Sequence, residues 1–117
     1  MKNVTKLAIW PELQKLGFER INYNSHGRLF SVGASLRAEL TSVNGEKFKT
    51  DLITIEPLDL RYDKKCYHLT GDIKNPYQVE FYRYDFSGEK IKGYQQKDHM
   101  NDFFSARELL NAVKSML

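Results

Sequence analysis

Residues Phe30 to Thr41 contain the longest unbroken alternation in the chain. Phe30, Val32, Ala34, Leu36, Ala38 and Leu40 take every second position, and Ser31, Gly33, Ser35, Arg37, Glu39 and Thr41 fill the gaps. A strand puts successive side chains on opposite faces, so this run makes a strand with one apolar and one mostly polar face. Asn44-Gly45 follows directly. It is the strongest short-range mark of a two-residue hairpin turn, because both residues tolerate positive φ. If the turn pairs Val43 with Glu46, counting outwards sets Leu36 opposite Ile53 and Ala34 opposite Ile55. Turn chemistry and hydrophobic pattern demand the same register, and this hairpin anchors the expected fold.

The rest of the chain reads as helix, strands, helix. A first helix is predicted to end at Leu16, with Gly17 in the left-handed position beyond it and Phe18 folding back onto Leu13. Two starts are open: one kinked helix from Asn3, or a short second helix opened by Pro11. Asn3-Val4-Thr5 reads as a helix cap. Phe18–Tyr23 is a short strand and Asn24–Gly27 a turn; Pro57 ends the central pairing. Cys66–Thr70 is a further strand, Asp72–Pro76 a turn, Tyr77–Phe86 a strand, and Ser87-Gly88 a turn into a strand over Glu89–Lys97. Ser105 and Glu108 fit a capping box, and Phe104 with Leu109 a hydrophobic staple, at the head of a last helix. Its apolar stripe is Leu109, Leu110, Val113, Met116 and Leu117. The expectation is a single α+β domain over residues 1–117. Its core is a five- to six-stranded antiparallel meander, free to curl strongly, with an N-terminal and a C-terminal helix packed on one face.

With 117 residues the chain can bury one modest core, and a formal charge of +3 is weak for a committed duplex binder. Cys66 is the only cysteine, so no internal disulfide forms. This fits a reducing, cytoplasmic setting. No apolar stretch approaches the roughly 20 residues that span a bilayer, so a membrane is not an expected partner.

Val79–Phe86, "VEFYRYDF", poses the functional question, because it carries rings on both faces of one strand. Val79 and Phe81 share a face, while Tyr82 and Tyr84 share the other with Glu80. Two registers of the following hairpin are open. A two-residue Ser87-Gly88 turn pairs Phe86 with Glu89 and sets Tyr84 opposite Ile91, which makes the tyrosines core. A three-residue loop with a bulge at Gly88 pairs Asp85 with Glu89, Tyr84 with Lys90 and Tyr82 with Lys92. The spacing of Asp85 from Ser87-Gly88 suits this bulged form. One face then carries Tyr82, Tyr84, Lys90, Lys92 and Tyr94, with Arg83 close by on the strand. Rings for base stacking beside ammonium groups for phosphate are what single-stranded nucleic acid requires. Tyrosine and arginine also anchor protein interfaces. Packing alone is the competing explanation, since tyrosines favour strands and lysines cover their rings.

Catalytic patterns are thin. Cys66 and His68 share a strand face but lack a recognisable oxyanion site or third group. His26, His68, His99 and Cys66 are scattered without metal-ligand spacing, and no cofactor motif occurs. Asp59, Asp72 and Lys74 follow the order of a metal-dependent nuclease core, but Gly71-Asp72 and Asn75-Pro76 read as turns. The stretch Leu13–Phe30, with "LGFER" and "NSHGRLF", resembles the opening of small double-stranded-RNA-binding-like toxins: a helix ending in Leu-Gly-Phe, a strand, then a histidine after a serine. The long strands after Gly45 depart from that pattern, so the resemblance implies no function here. The sequence therefore points to a non-catalytic binding protein. The first reading is contact with single-stranded nucleic acid or a nucleoprotein complex through Tyr82, Arg83, Tyr84, Lys90, Lys92 and Tyr94. The alternative is a protein-binding inhibitor, immunity or adaptor module using the same rings, with a homodimer through a sheet edge as one form. A metal-dependent nuclease comes third.

Overall fold

A computed structural model describes residues 2–41, 45–58, 75–85 and 95–117. Among these, six strands form one sheet: β1 (Lys2–Asn3), β2 (Glu19–Ser25), β3 (Arg28–Thr41), β4 (Lys47–Pro57), β5 (Tyr77–Asp85) and β6 (Gln95–Phe104). A 3-10 turn (Val4–Lys6) and helix α1 (Trp10–Lys15) precede β2, and helix α2 (Ala106–Met116) follows β6. The sheet runs β1-β3-β4-β5-β6, with β2 also on β3. β1 pairs with β3 in parallel, so the sheet is mixed, which corrects the expected antiparallel meander. The described pairings leave it open; β6 does not close onto β1 or β2.

β3 organises the rest. Ser31 and Val32 have Tyr23 and Asn22 of β2 on one side and Lys2 and Asn3 of β1 on the other. Two residues later, Ala34 has Arg20 on one side and Ile55 of β4 on the other. Gly33 marks the change of neighbour. A Cβ built there would stand 2.1 Å from the Ile55 carbonyl oxygen and 2.5 Å from Cε2 of Tyr23. Glycine in a strand interior often marks such a close approach of two backbones.

The central hairpin confirms two predicted pairs, Leu36 with Ile53 and Ala34 with Ile55. Nearer the turn the pairing moves by one residue. Arg37 takes Asp51, Leu40 takes Phe48, and Thr41 takes Lys47 instead of the expected Phe48. The irregularity after Leu36 leaves Leu52 as the extra residue of β4. Gly45 has φ of 82°, which a side chain would resist. The bulge lets an apolar pair stand in register on each side of it, which the two-residue turn alone would not allow.

The first helix follows one of the two open readings. The 3-10 turn is capped by Asn3, whose Oδ1 accepts from the Thr5 backbone N–H at 2.9 Å and from the Thr5 hydroxyl at 2.6 Å. α1 then starts separately, with Pro11 in its first turn where a missing N–H costs nothing. The expected ending holds. Gly17 has φ of 103°, its N–H reaches the Gln14 carbonyl at 3.0 Å, and the Phe18 N–H reaches the Leu13 carbonyl at 3.1 Å. The β2–β3 turn is tighter than expected. Strand pairing runs to Ser25 and Arg28, leaving His26 (φ 52°) and Gly27 (φ 76°) as a two-residue turn with both residues left-handed.

The buried core joins the short N-terminal elements, the sheet and the last helix. Val4, Leu13 and Phe18 cluster with Ala34, Ile53, Ile55, Val79 and Phe81, and with Leu109 and Val113 of α2. Each valine, leucine, isoleucine or phenylalanine among them contributes about 1.5–3 kcal/mol by burial. Ser105 caps α2 by accepting from the Glu108 N–H at 3.2 Å. Leu110 and Met116 lie partly buried against the core, but Leu117, counted in the stripe, is exposed. The predicted strand Cys66–Thr70 lies outside the described residues.

Gly33→Ala is expected to destabilise the fold by at least about 2 kcal/mol, because the obstacle is backbone and cannot swing aside. Ser105→Ala is expected to cost about 1 kcal/mol through loss of the cap. Urea unfolding midpoints of the two variants would check both figures. A Gly33→Ala protein as stable as the parent would rule out the close approach.

Candidate interaction face

One set of alternate positions on β5 faces the core. Val79 and Phe81 are buried in the core cluster, facing Ile55 and Ile53 in the register. Gln78 and Glu80 alternate with them and are half-buried, next to Glu56 and Thr54 of β4. Tyr82, Arg83 and Tyr84 continue β5. Lys90, Lys92 and Tyr94 lie outside the described residues.

The partner strand is where the structure departs from both predicted registers. Tyr82 stands opposite His99, Arg83 opposite Asp98, Tyr84 opposite Gln96 and Asp85 opposite Gln95. Neither pairing of Tyr84, with Ile91 or with Lys90, occurs. Asp85 would stand opposite Lys90 or Glu89 in the two expected registers, and its pairing with Gln95 fits neither. Of the strand predicted over Glu89–Lys97, residues 89–94 lie outside the described residues, and 95–97 belong to β6, which runs on to Phe104. The polar stretch Gln95–Asn101 has weak strand propensity and little alternation, so its pairing with a β-branched and aromatic partner decided the outcome. Lys97 is skipped at the irregularity between Arg83 and Tyr84.

On the same face lies a residue that sequence reading passed over. The Tyr23 ring covers Gly33, and its hydroxyl shares a hydrogen bond with the Thr54 side chain. A β2 side chain thus reaches across β3 to β4, through the space that a residue larger than glycine would fill. Burial pushes the phenol well above its ordinary ionisation range, and the negative charges of Glu56, Asp51 and Glu80 add to this, while the Thr54 hydrogen bond opposes it. Beyond it, Asp51 accepts from the Ser35 hydroxyl at 2.6 Å and from Nε of Arg37 at 3.1 Å. The signal for this arrangement was present in the strand alternation: Thr54 and Glu56 interleave with Ile53 and Ile55, and Ser31, Gly33 and Ser35 with Val32 and Ala34. The reach of Tyr23 over a glycine needed the register.

Among the described residues no cluster of histidine, cysteine and carboxylate could hold a metal ion, and no helix is long and apolar enough to cross a membrane. Asp59, Cys66, His68, Asp72 and Lys74, weighed for nucleophilic or nuclease chemistry, lie outside the described residues. No protein-family model, curated protein or solved structure matches this chain.

Tyr23→Phe keeps the ring over Gly33 and removes the bond to Thr54, for an expected loss of about 0.5–1.5 kcal/mol. The ionisation adds a pH signature. A phenol whose folded value is raised binds its proton more tightly in the folded state than in the unfolded chain. Its stabilising effect is complete below about pH 10 and is lost as pH rises above that. Stability by urea unfolding should therefore fall as pH rises above about 10, and the fall should be shallower in Tyr23→Phe. An equal decline in both proteins would show that Tyr23 is not held in this way.

Proposed function

We propose that this chain is a non-catalytic binding domain, that β5 with Tyr82, Arg83 and Tyr84 lies at the centre of its contact surface, and that the partner is a protein. The observation that favours a protein over nucleic acid is the β5–β6 register. The nucleic-acid reading drew its force from lysines directly across from the rings. In the observed pairing the positions across from Tyr82 and Tyr84 are His99 and Gln96, and an acid, Asp98, is paired with Arg83. Among the described residues, no ammonium group stands directly across from either ring, as the alternation used by single strands would require. A protein interface has no such requirement. Tyrosine and arginine anchor it through area, rigidity and hydrogen bonding, and a polar surround is ordinary at its rim. Lys90, Lys92 and Tyr94 stay candidates for that rim.

Affinity capture from a lysate of the source cell, with and without nuclease digestion, tests the proposal when paired with a direct titration of a mixed-sequence single-stranded oligonucleotide. The same protein should be recovered in both capture arms. Its recovery should drop about tenfold or more with Tyr82→Ala or Tyr84→Ala, provided circular dichroism shows the variants folded. Oligonucleotide binding that weakens steeply between about 50 and 200 mM salt, and weakens further in the same variants, would overturn the choice of partner in favour of nucleic acid.

A further inference from the structure

No further inference is drawn: the strongest candidate, the sheet face around the Tyr23 hydroxyl with Asp51, Glu56 and Glu80, is an acidic cluster with no second observation that points to a ligand, since the buried Ser31 hydroxyl, which has no partner, lies at the backbone end of Tyr23, away from the hydroxyl that the carboxylates surround.

Discussion

The Ile55 carbonyl leaves no room for a side chain at position 33, and the sheet is assembled around that fact. Glycine lets β3 run close against β4 at the point where its neighbour on that side changes from β1 to β4. Tyr23 takes up the space above the glycine and ties β2 to β4 through Thr54. One residue without a side chain therefore couples four strands. The apolar side of the same region, Val32 and Ala34 with Ile53 and Ile55, is fully buried, so any shift of β3 that relieved the crowding would disturb the packing beneath it.

Much of this was legible in the sequence, and the reason differs from element to element. The Leu36–Ile53 and Ala34–Ile55 pairs could be read because a strong turn and a long alternation agreed. The end of α1 and the start of α2 could be read because Gly17 and Ser105 carry local chemistry that needs no knowledge of tertiary neighbours. The one-residue shift after Leu36 could not, since nothing local marks Leu52 as an extra residue and the placement of Leu40 opposite Phe48 shows only in the paired strands. β1 was hidden because two residues carry no periodicity, and Lys2–Asn3 becomes a strand only when β3 offers it an edge.

The functional face was harder to read for the same reason. Rings on alternate positions of "VEFYRYDF" put the question of whether both sets are core, and Phe81 with Val79 supplies one buried set. What lies across from the tyrosines depends on a register that the hydrophobic pattern specifies weakly, because Met100 is the one apolar residue of β6 between Gln95 and Asn101. Local turn signals at Ser87-Gly88 pointed to a short hairpin, and the observed partner lies further along the chain. Tyr23 was missed because nothing in its own neighbourhood marks it; its significance comes from Gly33 on the next strand and Thr54 on the one after.

The choice between a protein and a nucleic acid partner thus rests on the pairing of β5 with β6. Cross-strand nuclear Overhauser contacts measured on the isotope-labelled protein test that pairing most directly. Backbone contacts joining Tyr82 to His99 and Tyr84 to Gln96 are the predicted result. Contacts joining Tyr84 to Lys90 and Tyr82 to Lys92 would contradict it, and would return the ammonium groups to the places where a single strand could use them.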